Sequence, residues 1–116
     1  MSGIDRVRLS GAAKQQLSTL KRRTGIEHYN VLCRHAICAS LAQSLDIPDE
    51  ALSFVGGLEI DWDTLAGDAG PVYVDLICTK HSIPSTSPEL RKLVSLHVHR
   101  GLSFMLANSD ALVPAP

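Results

Sequence analysis

The first residues of the chain alternate between polar and apolar side chains. Over residues 4–9, Val7 and Leu9 fall on one face and Arg6 and Arg8 on the other. A period of two residues is typical of a strand with one buried face. We therefore expect a short N-terminal strand that directs Val7 and Leu9 towards the core and both arginines towards solvent.

The pattern then changes to a helical period. Three apolar residues spaced three or four apart predict a helix over residues 11–24. Ser10 stands where an N-cap residue belongs, and Gly25 stands where a left-handed residue would end the helix. The apolar stripe of this helix comprises Ala13, Leu17 and Leu20.

A second helix should begin at residues 28–30 and run to about Ser44. Its apolar residues cover every angle of the helical wheel, which is typical of a helix buried on all sides. A chain of 116 residues has little interior for such a helix. We therefore expect it at the centre of the fold or in the interface of a homo-oligomer. Arg34 is the exception, and a buried arginine needs a carboxylate or carbonyl partner. The residues predicted to form the interface are Val31, Leu32, Ala36, Ile37 and Ala39.

The second half of the chain predicts two more helices between loops. Residues 46–57 and 64–70 are expected to be loops, and alternation over residues 58–62 predicts a short strand between them. Residues 71–82 favour a helix with proline in its first turn, although their β-branched residues leave a strand as the alternative. The last helix is expected to have Ser87 as its N-cap.

These elements predict a mainly α protein, with a short N-terminal strand followed by helices in a compact bundle and one or two short strands in the middle. The strand–helix–helix order at the start is that of ribbon-helix-helix DNA-binding proteins, whose strands pair across a dimer. The length favours a single domain over residues 1–110, with a flexible tail at 111–116.

The composition is that of a cytoplasmic protein. No apolar run approaches the ~20 residues that span a bilayer, and the N-terminus has no secretion signal. The three cysteines include no C-x-x-C pair, which fits a reducing compartment and small buried apolar side chains. We therefore expect no membrane partner.

Charge is segregated along the chain, although the net charge is only −1. Residues 1–35 carry +5, residues 36–79 carry −8 and residues 80–116 carry +2, with histidines taken as neutral. A basic front third indicates a surface that faces a polyanion. The alternative is that folding interleaves the segments so that they neutralise one another, and the sequence leaves both open.

The cations of the first helix are the main candidates for contact with DNA. Lys14 and Lys21 share a face beside the apolar stripe, as an exposed basic ridge would. Arg22 and Arg23 lie in the last turn, where the helix dipole alone would explain them. All four are predicted to contact phosphates, which give affinity without sequence information. The weaker candidates are the strand arginines, Arg6 and Arg8.

Motifs for catalysis or metal binding are missing from the sequence. It contains no nucleophile elbow, glycine-rich phosphate loop or zinc-protease motif. His97 and His99 would point about 200° apart on a helix, so they cannot share a metal, and His97 is expected to be a core histidine. The carboxylates of Glu59, Asp61 and Asp63 are expected to form a solvated face. We therefore expect no enzymatic activity, no metal and no cofactor.

Two stretches of the chain resemble a known family. Residues 7–41, VRLSGAAKQQLSTLKRRTGIEHYNVLCRHAICASL, and residues 96–101, LHVHRG, are similar to DndE, the small protein of bacterial DNA phosphorothioation, or DNA sulfur modification. The resemblance implies a compact, mainly helical homotetramer that binds double-stranded DNA and prefers nicked duplex. It also implies other subunits that supply the sulfur-transfer chemistry, and it carries over no catalytic residue. The basic residues that match the family pattern are Lys14, Lys21, Arg22, Arg23, Arg34 and Arg100.

Three functions remain as hypotheses. The first is a non-catalytic DNA-binding accessory subunit of the modification machinery. The second is a structural adaptor whose basic ridge contacts a protein instead of DNA. The third is a ribbon-helix-helix repressor that reads bases from its strand and prefers its operator over random DNA by roughly a thousandfold or more.

Overall fold

The N-terminal strand does not stand alone but pairs with a strand from the middle of the chain. In the computed structural model, which describes residues 4–108, these two strands and five α-helices surround one apolar core. The elements are β1 (Arg6–Leu9), α1 (Gly11–Thr24), α2 (Tyr29–Leu41), β2 (Leu58–Asp61), α3 (Trp62–Ala66), a 3-10 turn (Gly67–Ala69), α4 (Gly70–His81) and α5 (Leu90–Ala107). The mainly helical fold is as predicted.

The two strands form an antiparallel hairpin-like ribbon. Arg6 lies opposite Asp61, and Leu9 lies opposite Leu58. The strand prediction for β1 is confirmed in its faces, because Val7 and Leu9 are buried whereas both arginines are exposed. Both strands of this ribbon belong to the same chain.

Helix α1 has the bounds and caps that its sequence predicts. The hydroxyl of Ser10 accepts a hydrogen bond from the amide of Ala13 at 3.0 Å. Gly25 ends the helix in the left-handed conformation, with φ at 75°, and its amide donates to the carbonyl of Lys21. The predicted apolar stripe is buried in full.

Helix α2 packs mainly on α5, and the two backbones touch. A Cβ at Gly101 would lie only 1.8 Å from the carbonyl oxygen of Ala36, so only glycine fits at this crossing. The helix ends at Leu41, earlier than expected, and within one chain it is not buried on all sides, because His35 and Cys38 are exposed. Its small residues permit the close approach to α5, whereas the face that carries His35 and Cys38 is exposed to solvent.

The middle of the chain contains more helix than its sequence suggests. Residues 46–57 form a loop as predicted, and β2 confirms the predicted strand up to Asp61. The predicted loop at 64–70 is wrong, because residues 62–69 form α3 and the 3-10 turn. The cause is burial: Trp62, Leu65 and Ala66 reach the core from one short helical turn.

The helix prediction for residues 71–82 is confirmed by α4, with proline in its first turn, and the strand alternative is excluded. The start of α5 differs in detail. The hydroxyl of Ser87 accepts a hydrogen bond from the amide of Glu89, as an N-cap would, but the regular helix begins only at Leu90, with Glu89 at the N-cap position. Residues 87–89 form a turn that leads into the helix.

None of the helices within residues 4–108 is long and apolar enough to cross a membrane. The tail predicted at 111–116 lies outside the described residues.

Candidate nucleic-acid interface

The basic ridge of α1 is a solvent-exposed surface. Lys14 and Lys21 are both exposed and lie on either side of the exposed Ser18. The ammonium of Lys21 lies 6.0 Å from the centre of the Tyr29 ring. A shallow depression of about 490 Å³, lined by Lys14, Ser18 and Tyr29 among others and bounded by the end of the 46–57 loop, lies along this ridge. The ridge therefore offers cations and hydroxyl groups on one continuous face.

The charges of this ridge are not cancelled by the acidic middle of the chain. Within residues 4–108, Lys14, Lys21 and Arg22 form no ion pair with a carboxylate. The guanidinium of Arg22 donates weakly to the hydroxyl of Thr19, at 3.5 Å. Arg23 is exposed in the same last turn. For Lys14, Lys21 and Arg22 the interleaving alternative does not hold.

Interleaving does occur at the β-ribbon. Arg6 pairs with Glu59 and Asp61, at 3.4 and 3.5 Å, and Arg8 pairs with Glu59 at 3.4 Å. The guanidinium of Arg8 also lies over the Phe54 ring, 4.4 Å from its centre. The two strand arginines are thus partly neutralised by acids from the middle segment. Their value as phosphate contacts is lower than that of the ridge.

The ribbon also removes the feature that favoured a ribbon-helix-helix repressor. In such repressors the N-terminal strand pairs with the strand of a second subunit. Here β1 pairs with β2 of the same chain. The order of elements is shared, but the structural basis for base readout from a dimeric ribbon is not present in this chain.

Arg100 holds the C-terminal end of α2. Its guanidinium donates to the hydroxyl of Ser40 at 2.8 Å, to the Ser40 carbonyl at 2.7 Å and to the Leu45 carbonyl at 2.8 Å. The Ser40 carbonyl also accepts from the amide of Gln43, and Leu45 lies in the loop that follows α2, so this guanidinium links the end of the helix to that loop. The hydrogen-bonding groups of Arg100 are therefore engaged within the molecule, and its contact with DNA stays a prediction.

Arg34 is half-buried beside the 3-10 turn. One of its terminal nitrogens lies next to Gly67, where an added Cβ would come within 3.3 Å. Its Nε is buried and has no hydrogen-bond partner among the described residues. The Nε atom of Arg34 therefore does not form the hydrogen bond to a carboxylate or carbonyl that the sequence predicted for a buried arginine.

A buried hydrogen-bond relay was not foreseen from the sequence. Nδ1 of His97 lies 2.7 Å from the Ser40 hydroxyl, and Nε2 of His97 lies 2.8 Å from Nε2 of His81. Because Arg100 can only donate, the Ser40 hydroxyl accepts from it. When that hydroxyl donates its own proton to Nδ1 of His97, the His97 proton lies on Nε2 and faces His81.

Burial explains why this relay stays neutral. Desolvation, helped by the neighbouring His81 and Arg100, lowers the pKa of His97 to about 4. Desolvation also lowers the pKa of His81. His97 is thus the core histidine that its sequence pattern predicts. A signal for the relay existed only in the polarity of Ser40 on an apolar helix.

His99 serves a separate part of the fold. Its Nε2 accepts from the amide of Ser10 at 3.1 Å, so Nδ1 carries the proton and donates to the carbonyl of Ser95 at 2.5 Å. The two histidines of the HxH pair therefore diverge, as predicted. No cluster of three or more metal-ligating side chains occurs in the described part of the chain.

The residues predicted for an oligomer interface separate into two groups. Leu32, Ala36 and Ile37 are 0% exposed within the single chain, because α5 and the rest of the core already cover them. Val31 and Ala39 are half-buried. The interface itself stays a prediction, and of the five predicted residues Val31 and Ala39 are the two that a second copy could reach.

Comparison with known proteins decides the family. The family model described as DNA sulphur modification protein DndE matches residues 6–112. The chain belongs to the DndE family. Family membership places it among the proteins of DNA phosphorothioation.

Solved structures of the family agree in fold. The crystal structure of DndE from Escherichia coli B7A, involved in DNA phosphorothioation modification, superposes with a TM-score of 0.74 at 23% identity, covering 87% of this chain and 95% of that one. A glycine-to-lysine mutant of DndE involved in DNA phosphorothioation gives a TM-score of 0.69 at 22% identity, with the same coverage. No curated protein matches the chain.

Proposed function

We propose that this chain is a non-catalytic DNA-binding accessory subunit of the phosphorothioation machinery, and that it acts in the cytoplasm on intact or nicked duplex DNA. The observation that carries the proposal is the exposed ridge of α1, whose Lys14, Lys21 and Arg22 lack carboxylate partners within residues 4–108. Unpaired cations on one helix face suit a phosphate backbone. Because the chain belongs to a DNA-modification family, DNA is the polyanion that we propose these cations bind.

Each cation that contacts a phosphate releases a counterion when the complex forms. The affinity should therefore fall steeply with salt, with a slope of about −0.9 per phosphate neutralised on B-form DNA. Such contacts position the protein without reading bases. Sequence choice then belongs to another subunit, which is the natural division of labour for an accessory protein.

The test is a titration of the protein onto intact and nicked duplexes of one sequence at several salt concentrations. We expect the double variant Lys14→Gln, Lys21→Gln to bind more weakly and to reduce the magnitude of the salt slope by about 2. The matched control is Lys80→Gln, Lys92→Gln, which removes the same charge. Lys80 donates to the carbonyl of Gln43 and Lys92 pairs with Asp49, so both are already engaged.

Equal losses for the ridge variant and its control would show that net charge alone drives binding, which would contradict the ridge proposal. Absence of binding at low salt would leave the second candidate, an adaptor whose ridge contacts a protein. That candidate draws on the same exposed ridge, because exposed cations also suit an acidic protein surface.

The assembly is proposed to be a homotetramer. What supports an interface is the exposed apolar surface of α4, where Val72 and Leu76 are about half exposed, together with the half-buried Val31 and Ala39 on α2. Several copies of the ridge on one particle would raise the avidity for DNA. Native mass measurement tests this directly, and a stable monomer would refute it.

A further inference from the structure

The loop of residues 46–57 ends in a turn that holds a large apolar side chain in solvent. The amide of Gly57 donates to the carbonyl of Phe54 at 3.1 Å, and Gly56 has φ at 73°, as the third residue of a type II turn requires. Val55 is therefore the second residue of this turn, and its side chain is 88% exposed. Burial in the core does not explain why a valine occupies this position.

Two close backbone contacts fix this turn against the start of α1. A Cβ at Gly11 would lie 2.9 Å from the carbonyl oxygen of Val55, and a Cβ at Gly57 would lie 1.8 Å from the carbonyl oxygen of Leu9. Since glycine has no Cβ, the main chain of the turn can lie directly against β1 and α1. Val55 is thereby held in the depression along the α1 ridge, which it lines together with Gly56.

An aromatic ring lines the same depression. Tyr29, at the start of α2, is half-buried and packs partly against the core. The ammonium of Lys21 lies 6.0 Å from the centre of this ring, at the outer limit of a cation–π contact. Because Lys21 is exposed, its ammonium can move from the ring to a phosphate. The depression thus combines two apolar side chains with the cations of the ridge.

We propose that this depression binds one unpaired nucleotide of a DNA strand, whose base lies against Tyr29 and Val55. Its phosphate groups contact Lys14 and Lys21. The inference rests on the proposed function, because it specifies what the α1 ridge recognises in DNA. Proteins bind unpaired nucleotides by combining cations along the backbone with aromatic side chains on which bases stack. The volume of about 490 Å³ lies within the roughly 300 to 1,000 Å³ typical of small-molecule sites.

The polar residues of the depression suit the edge of a base. In a paired duplex the bases are stacked inside, so its phosphate backbone would use the cations and leave the apolar side chains uncovered. An unpaired base presents both an apolar face and a polar edge. The side-chain amide of Gln15 and the hydroxyl of Ser18 both line the depression, and each can donate and accept a hydrogen bond. Stacking itself is tolerant of sequence, because every base has such a face.

An acidic segment of a partner protein is the rival occupant, since cations beside apolar side chains also suit such a surface. Within residues 4–108, Lys14 and Lys21 pair with no carboxylate, which leaves them available to either occupant. The family decides which occupant to test first. Because the chain belongs to a DNA-modification family, a nucleotide is the occupant that these observations favour.

The experiment compares three duplexes of one sequence: one intact, one with a single bulged thymidine and one with a bulged abasic site. The abasic bulge keeps the extra sugar and phosphate but lacks the base. Dissociation constants are measured by fluorescence anisotropy for the wild type, Tyr29→Phe, Tyr29→Leu and Val55→Ser. Tyr73→Leu, the same change at a half-buried tyrosine on α4, is the matched control. Thermal melts verify the fold of the tyrosine variants, and Val55→Ser tests the site through an exposed side chain.

We expect the wild type and Tyr29→Phe to bind the thymidine bulge about tenfold more tightly than the abasic bulge, as stacking of one base predicts. Tyr29→Leu should lose most of this ratio and Val55→Ser should reduce it, whereas Tyr73→Leu should retain it. A ratio near one in the wild type, or a full ratio in Tyr29→Leu, would overturn the inference while binding of the intact duplex still supports the proposed function. Failure to bind any of the three duplexes at low salt would overturn both and favour the protein occupant.

Discussion

Gly101 is the residue at which the two central helices of this chain touch. A Cβ at this position would lie 1.8 Å from the Ala36 carbonyl oxygen and 2.3 Å from its carbon, both of them backbone atoms that no side-chain rotation can move. A single hydrogen atom in place of a methyl group thus sets the distance between α2 and α5. The packing of a large part of the core depends on that distance.

We expect Gly101→Ala to lower the free energy of unfolding by about 3 kcal/mol, because α2 and α5 must separate to admit the methyl group. In an open helix the same substitution would stabilise the protein by about 1 kcal/mol, since alanine is the better helix former. The sign of the change in urea unfolding therefore reports the contact. Ser103→Ala, at an exposed position of the same helix, is the control and should change stability by less than about 0.5 kcal/mol.

At the scale of elements, the relay from Arg100 through Ser40 and His97 to His81 connects the C-terminal ends of α2 and α4 to the middle of α5. Ser40 comes from α2, His81 from α4 and the other two from α5. Arg100 cannot accept, so the Ser40 hydroxyl accepts from it. Protonation of both His97 and His81 would place two N–H groups against each other across 2.8 Å, which adds to the burial that opposes it.

The lowered pKa of His97 predicts loss of stability in acid. The unfolded chain binds a proton at each histidine near pH 6.5, whereas His97 in the folded state does so only near pH 4. Because the unfolded state binds more protons in between, the contribution of His97 is fully present above about pH 6.5 and is lost as the pH falls towards 4. The loss is about 3 kcal/mol at most, measured by denaturant unfolding across that range.

The charged groups around the relay have opposite effects on the pKa of His81. Lys80 and Arg100 oppose protonation of His81, whereas Asp46 and Glu89 favour it. The variant His97→Gln should abolish most of the acid sensitivity, whereas His35→Gln, at an exposed position on α2, should retain it. Retention of the full pH dependence by His97→Gln would refute the relay as its source.

At the scale of the whole molecule, the distribution of charge decides what the surface can bind. The acidic middle segment neutralises the ribbon, where Glu59 lies 3.4 Å from both Arg6 and Arg8. Within residues 4–108, none of its carboxylates pairs with Lys14, Lys21 or Arg22. Folding thus leaves one face of a nearly neutral protein basic.

We expect Glu59→Gln to strengthen the proposed DNA binding a few-fold, because it removes the carboxylate that pairs with Arg8 and leaves Arg6 with Asp61 alone, while costing less than about 1 kcal/mol of stability. The measurement is the dissociation constant at two salt concentrations. Asp68→Asn makes the same change in net charge in the 3-10 turn and serves as the control. If both variants tighten binding equally, the ion pairs of the ribbon do not hold the arginines back.

The sequence by itself determined the local features of this protein. The alternation in β1, the stripe and both caps of α1 and the favoured helix at α4 depend on residues within a few positions of one another, so periodicity and capping predict them. The sequence also indicated the family, through the matching stretches around α1, α2 and the HxH pair.

Only the tertiary structure decided which polar residues meet. Arg6 and Glu59 are separated by 53 positions, and Ser40 and His97 by 57, so no local pattern connects them. The helix α3 forms because Trp62 and Leu65 are buried in the core, although the residues around them are typical of a loop. Which cations are engaged within the fold is likewise a property of long-range contacts: Lys14 and Lys80 are both exposed, but the ammonium of Lys80 donates to the carbonyl of Gln43.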